Sequence, residues 1–144
     1  MNMTTELDER VPLADRRQVR LLGVVLLAAI AVIHLEDIAG KFQETPYLGV
    51  GYVLLIAGCA VSAVHLVRPD RLDHRAGWAL AGGLASLTLL GFVLTRTVGL
   101  PQATDDKGNW HEALGVWSMI IEGGLVALAG ACLATSRRPE PATS

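Results

Sequence analysis

The chain has 144 residues, of which 51% are hydrophobic, and its formal net charge is −2. It has no basic tract interleaved with aromatic residues, which argues against a nucleic-acid partner. Its two cysteines, Cys59 and Cys132, are too few for a disulfide framework. Because both fall inside apolar stretches, we expect small buried thiols, with a soft-metal or redox role as the alternative.

Four stretches of the sequence are almost free of Asp, Glu, Lys and Arg. They comprise residues 21–35, 45–67, 76–95 and 113–136, and the last carries one acid, Glu122. A helix needs about 20 residues to cross roughly 30 Å of hydrocarbon, and three of the stretches meet this length. So much apolar sequence leaves no material for a soluble domain. We therefore predict an all-α integral membrane four-helix bundle with spans over about residues 19–39, 47–67, 76–96 and 111–135.

The first stretch is the shortest, with 15 uncharged residues between Arg20 and Glu36. It ends in an acidic segment and not in a small-residue cleavage site, so we expect a retained helix and not a signal peptide. To cross the bilayer, it must take Arg20, or His34 with Glu36 and Asp37, into the outer regions of the membrane. Arginine reaches the headgroups more easily than a short carboxylate does. We therefore expect His34 and one of the acids to face a pocket lined by protein or water.

The tails and connections are polar. We predict two cytoplasmic tails, over residues 1–18 and 136–144, and we expect the first to be mobile through residue 15. We also predict an outer loop over residues 40–46 and a charged loop over residues 68–75. Pro46 suits the first turn of the second helix. Small residues recur four apart in three helices, which favours one tight bundle. They are Gly58 and Ser62, then Gly77, Ala81 and Ala85, and then Gly123, Ala127 and Ala131.

Nine of the twelve basic residues lie in or beside the two tails and the loop of residues 68–75. Because Lys and Arg are enriched on the cytoplasmic side, we predict that both termini are cytoplasmic. Ten of these twelve are arginines, which with abundant Ala, Gly and Leu suggests a high-GC bacterial genome. The predicted location is the bacterial cytoplasmic membrane, with a multi-pass chain in contact with the lipid bilayer.

The predicted topology gathers polar side chains at the outer helix ends. The predicted ligand or ion pocket is formed by His34, Glu36, Arg96, His111, Glu112 and Glu122, with Asp37, Glu44, Asp105 and Asp106 nearby. On the fourth helix, His111, Gly115, Ser118, Glu122 and Ala129 form one small or polar stripe, which we expect to face the bundle interior. Glu122 then lies about 16 Å along the axis from His111, near mid-membrane.

An ionisable side chain at the centre of a spanning helix costs about 2.5–3.5 kcal/mol on insertion scales, so it usually has a partner or a function. Three interpretations of Glu122 stay open. In the first, it is a structural carboxyl group that is hydrogen-bonded to a neighbouring helix through Ser62, Ser86, Thr88 or a backbone carbonyl. In the second, it is a proton or ion relay. In the third, it pairs with Arg96 or with a metal. Arg96 itself is either an interfacial arginine reaching headgroups or a fixed cation for Glu112, Glu36 or an anionic ligand.

His34, His111 and Glu112 supply N and O ligands suited to zinc or copper, and a divalent metal is one possible cofactor. The sequence has no H-E-x-x-H and no C-x-x-C motif that would specify such a site. A bis-histidine haem would need His34 and His111 to face each other at one depth, and we do not expect it. We interpret His65 and His74 as interfacial, and Trp78, Trp110 and Trp117 as interface anchors.

These residues resemble, in their order, a group of small uncharacterised four-helix membrane proteins of actinobacteria. The resemblance rests on His34 and Glu36, on the stretch Arg96-Thr97-Val98-Gly99-Leu100-Pro101, and on Glu112 and Glu122. It covers roughly residues 21–134. It implies the four-span topology and nothing about the chemistry.

Three functional hypotheses follow from the sequence. The first is a non-enzymatic membrane protein whose outward-facing polar pocket binds a small ligand or ion, as an accessory subunit. The second is a metal- or haem-dependent membrane oxidoreductase that uses His34, His111 and the glutamates. The third is a structural partner in a homo-oligomer or larger membrane complex, in which small-residue stripes such as that of Ala127 mediate assembly.

Overall fold

The computed structural model describes residues 11–136, and this part of the chain is an all-α bundle of four long helices. They are α1 (Arg17–Glu44), α2 (Pro46–Val67), α3 (Arg71–Thr97) and α4 (Ala113–Thr135), and a 3₁₀ turn at Leu13–Asp15 precedes them. Each long helix is long and apolar enough to cross a membrane. The predicted fold class is therefore confirmed, while the sidedness of the termini stays a prediction.

Helix α1 is longer than predicted, because it continues through the acidic segment to Glu44. Lys41 lies 3.9 Å from Asp37 and 3.7 Å from Glu44, so its ammonium group links carboxylates on successive turns. The predicted loop over residues 40–46 is wrong, since Thr45 alone separates α1 from α2. Pro46 begins α2, as predicted.

Helix α3 also begins earlier than predicted, at Arg71. Asp70 caps it by accepting a hydrogen bond from the Leu72 backbone N–H at 2.9 Å, so most of the predicted charged loop is helical. At the other end, Gly99 has a φ of 79°, and its N–H donates to the Leu94 carbonyl at 3.0 Å. This left-handed residue ends the helix and begins the connection to α4.

The helices form a ring in which each packs on the next and α4 packs back on α1. The core comprises Ala14, Leu27, Ile30, Leu55, Cys59, Leu66, Trp78, Ala81, Ala85, Leu125, Ala129 and Cys132. Small residues bring α2 and α3 close together, since a Cβ at Gly58 would lie 2.8 Å from Leu84. The stripe of Gly77, Ala81 and Ala85 is buried as expected, but Ala127 and Ala131 on α4 are exposed and do not pack inside the bundle.

The bundle has two distinct ends. We call the end with residues 11–16 and 68–70 the tail end, and the end with Thr45 and residues 98–112 the loop end. At the tail end, Ala14 is buried, and the Trp78 indole N–H donates to its carbonyl at 3.1 Å. Trp78 is therefore a core residue and not an interface anchor, because the 3₁₀ turn covers it.

A histidine also ties the tail end together. The ring nitrogens of His74 face oxygen acceptors, Nδ1 at 2.7 Å from Asp15 and Nε2 at 2.6 Å from the Arg68 carbonyl. Residues 13–15 of the predicted tail thus form a turn that packs on the bundle, while the mobility of the tail stays a prediction. Residues 1–10 and 137–144 of the predicted tails lie outside the described residues.

Candidate functional site: a cavity in the loop-end half of the bundle

A cavity of about 380 Å³ lies in the loop-end half of the bundle, and all four helices contribute to its lining. Its apolar walls are mainly leucines and glycines. The lining contains two groups of polar side chains, which we call the floor and the mouth, and Thr88 and Thr95 line the cavity outside these groups. The floor comprises His34, Ser118 and Glu122, and the mouth comprises Asp37, Lys41, Arg96, Asp106 and Glu112.

His34 has a fixed orientation at the floor. Its Nδ1 lies 2.8 Å from the Ile30 carbonyl oxygen, which only accepts, so Nδ1 carries the proton. In the neutral ring, Nε2 then carries the lone pair. This nitrogen lies 3.8 Å from Oε1 of Glu122. The Tyr52 ring meets the imidazole edge-on, with a centroid distance of 4.7 Å. His34 thus faces a pocket, as we predicted from its position at the end of the shortest apolar stretch.

Glu122 is the second floor residue and is only 1% exposed. Its Oε1 accepts a hydrogen bond from the Ser118 hydroxyl at 2.7 Å. Its Oε2 is buried and has no hydrogen-bond partner within residues 11–136. The floor therefore presents an unpartnered carboxyl oxygen beside an imidazole lone pair.

The predicted bond from Glu122 to a neighbouring helix is wrong. Ser62 donates to the Gly77 carbonyl instead, while Ser86 and Thr88 donate to carbonyls one turn back in α3. The carboxyl group is bonded to Ser118 of its own helix because residues four apart lie on one helix face.

Arg96 closes one side of the mouth and is 8% exposed. Its Nη2 lies 2.6 Å from Glu112, its Nε donates to the Asn109 carbonyl at 3.2 Å, and its guanidinium stacks 4.1 Å above the Phe92 ring. The interpretation of a fixed cation paired with Glu112 is confirmed. The interpretation of an arginine extended to the headgroups is wrong, and so is a pair with Glu122.

Lys41 closes the other side of the mouth. Besides its contacts within α1, it lies 3.8 Å from Asp106, which also lies 3.9 Å from Arg96. The Tyr52 hydroxyl donates to Asp37 at 3.4 Å. Among the residues of the mouth, two cations therefore face three carboxylates. The mouth has no surplus positive charge.

The structure brings four of the six predicted pocket residues to the cavity, namely His34, Arg96, Glu112 and Glu122. Glu36 and His111 are exposed and stand outside the lining. Glu36 follows His34 by two residues, and about 200° of rotation turns it to the opposite face of α1. His111 precedes α4 in a non-helical segment, so the helical stripe that included it begins at Gly115.

The predicted metal set of His34, His111 and Glu112 is not assembled. Within residues 11–136, no group of three or more His, Cys, Asp or Glu side chains is arranged to hold a metal ion. His111 is exposed while His34 is buried, so the two histidines do not face each other across the cavity. Both cysteines are buried free thiols, as expected.

Sequence reasoning missed Tyr52 and Lys41 as lining residues. Lys41 had a detectable signal, because His34, Asp37 and Lys41 are spaced three and four residues apart and share one face of a continuous helix. The predicted end of the helix near residue 39 concealed that face. Tyr52 carries no such signal in an apolar helix.

No protein-family model, no curated protein and no solved structure matches the chain. The chemical character of the site follows from its geometry. Apolar walls suit a hydrocarbon or aromatic body, and the floor offers two hydrogen-bond acceptors when Glu122 is ionised.

Proposed function

We propose that the chain is a ligand-binding subunit of the bacterial cytoplasmic membrane, with both termini in the cytoplasm. Its cavity binds a small molecule that has an apolar body and one hydrogen-bond-donating head group, such as an amine or alcohol. No chemical step is assigned to the site.

The observation that carries this proposal is the unpartnered Oε2 of Glu122 at the floor of the cavity. A buried polar atom without a partner costs about 1–3 kcal/mol, so a fold keeps one where something else gains from it. A donor head group placed between Oε2 and the Nε2 of His34 would satisfy both acceptors. An alkyl or aryl body would then contact the leucine walls.

Size and charge support the same ligand class. Small-molecule pockets commonly measure about 300–1,000 Å³, and an engineered apolar cavity of about 150 Å³ already holds benzene. The cavity of about 380 Å³ therefore accommodates one ring or a short chain with a head group. Because the carboxylates of the mouth outnumber its cations, the site favours a neutral or cationic ligand over an anion.

Three probes with one aromatic body test the head-group preference, namely benzylamine, benzyl alcohol and benzoate. We would titrate each into the full chain in mild detergent and measure its affinity by ligand-observed NMR. We expect benzylamine to bind most tightly, benzyl alcohol more weakly and benzoate weakest. Because a hydrogen bond to a charged group contributes about 1.5–3 kcal/mol, Glu122→Gln should weaken benzylamine binding by about tenfold or more.

The matched control is Glu36→Gln, the same substitution at an exposed acid outside the lining, and it should leave all three affinities unchanged. The proposal fails if benzoate binds as well as benzylamine. It also fails if Glu122→Gln and Glu36→Gln bind benzylamine equally.

A further inference from the structure

The loop end of the cavity is covered by the chain itself. The Thr45 hydroxyl donates to the Gln102 carbonyl at 3.0 Å, and the Tyr47 hydroxyl donates to the Pro101 carbonyl at 2.6 Å. Leu100 and Asp106 of the same connection line the cavity, and Asp106 also contacts Lys41. Residues 98–112 therefore form a tethered roof between the cavity and the aqueous phase at this end.

The side between α2 and α3 is built differently. Toward the tail end the two helices are in close contact, since Ser62 donates to the Gly77 carbonyl at 2.7 Å. Toward the loop end, Leu54 and Leu87 both line the cavity, yet they are 66% and 67% exposed. A side chain that lines a cavity and is also two-thirds exposed stands at an opening.

Two glycines widen this opening. Gly51 of α2 and Gly91 of α3 line the cavity, and a Cβ at either position would meet no heavy atom of residues 11–136 within 4 Å. Neither glycine has a positive φ, so no backbone conformation requires it. The missing side chains leave space at the level of the cavity.

From these features we infer that the gap bordered by Gly51, Leu54, Leu87 and Gly91 is a lateral portal through which the ligand enters from the lipid. The inference rests on the proposed function and narrows the ligand class to amphiphiles that dissolve in the bilayer, such as lipophilic amines and alcohols. Its border is apolar and belongs to two helices that are long and apolar enough to cross a membrane, so that in the spanning orientation we propose it opens to the lipid, where such molecules accumulate. A strictly water-soluble ion would have no favourable path through it.

The test uses 4-fluorobenzylamine as the probe and the full chain in lipid nanodiscs. It measures separately the rate at which the probe exchanges between its free and bound states and the affinity of the probe. Fluorine NMR line shapes give the exchange rate, and a titration gives the affinity. Gly51→Leu and Gly91→Leu fill the portal, and each should slow both association and dissociation of the probe by about tenfold or more, whereas a leucine that only occupied the cavity would weaken affinity and speed dissociation. The matched control is Gly83→Leu on α3, where a Cβ also meets no heavy atom of the described chain within 4 Å but which lies outside the cavity lining.

The outcomes separate the portal from the binding site. If the probe exchanges with both portal variants as fast as with wild type while Glu122→Gln loses binding, the binding site is supported and the portal is refuted. If Glu112→Gln at the mouth accelerates exchange and the glycine variants do not change it, the route runs through the loop end and the inference is also overturned. If wild-type protein does not bind the probe, the proposed function itself fails.

Discussion

Replacing Glu122 with methionine should stabilise the fold while it removes ligand binding. The carboxyl group is almost fully buried, accepts one hydrogen bond from Ser118, and leaves Oε2 without a partner in the described chain. Methionine has nearly the same length and no strongly polar atom, and it adapts to irregular spaces. The substitution therefore removes one satisfied and one unsatisfied polar atom, and we expect the buried Ser118 hydroxyl to turn to the carbonyl one turn back in its own helix, as Ser86 and Thr88 do.

The magnitude follows from these two atoms. An unpaired buried polar atom costs about 1–3 kcal/mol, whereas one hydrogen bond contributes about 0.5–1.5 kcal/mol net. The free energy of unfolding should thus rise by about 1 kcal/mol for Glu122→Met. Ser118→Ala should lower it by about 1 kcal/mol, because it removes the single hydrogen bond to the carboxyl group. In the double variant, Ser118→Ala should cost almost nothing, since its partner is gone.

The assay is equilibrium unfolding in mixed micelles of increasing SDS content, followed by far-UV circular dichroism. Glu36→Met, at an exposed position outside the cavity, should change the free energy of unfolding by no more than about 0.5 kcal/mol. A decrease of more than about 1 kcal/mol for Glu122→Met would show that the carboxyl group holds the helices together. That result would refute the reasoning that the fold keeps it for a ligand.

Three further substitutions test other parts of the structure. Trp78→Phe removes the hydrogen bond to the Ala14 carbonyl, so it should lower the free energy of unfolding by about 1 kcal/mol and speed tryptic cleavage of the tail-end segment. Arg96→Lys should speed amide hydrogen exchange in the roof by about tenfold, because lysine cannot reproduce the guanidinium contacts to the Glu112 carboxylate and the Asn109 carbonyl. Gly23→Ala places a Cβ 2.6 Å from Trp78 and should destabilise the fold by about 1–3 kcal/mol in the same unfolding assay. Its control, Gly130→Ala, meets no heavy atom of residues 11–136 within 4 Å and should stabilise the helix by up to about 1 kcal/mol.

The fold was predictable because a membrane span requires a long uninterrupted apolar stretch. The helix boundaries were less predictable, since ion pairs such as Lys41 with Asp37 extend a helix beyond its apolar part. Trp78 illustrates a different limit. Its position near a loop is typical of an interface anchor, and only the folding of the 3₁₀ turn over it makes it a core residue.

Part of the candidate site was also predictable. Buried acids and histidines in apolar helices are rare, so His34 and Glu122 were visible in the sequence. The cavity walls were not, because side chains that face lipid and side chains that face a cavity are both apolar. Leu54 and Leu87 cannot be distinguished by hydropathy from other leucines of the same helices. The portal therefore follows only from the three-dimensional finding that Leu54 and Leu87 line the cavity and are also two-thirds exposed.

The tail-end half of the bundle contributes mainly to stability, whereas the loop-end half contains the candidate binding site. In the tail-end half, tight contacts such as Ser62 with Gly77 and Trp78 with Ala14 hold the helices together. In the loop-end half, a cavity lies between the helices, and ion pairs across the mouth together with hydrogen bonds to the roof hold the helix ends. A bundle that is firmly packed at one end can keep the other end open without losing its fold. Substitutions in the portal should therefore change the exchange rate of a ligand while they leave the free energy of unfolding nearly unchanged. Substitutions at the tail end should change the free energy of unfolding while they leave the exchange rate nearly unchanged.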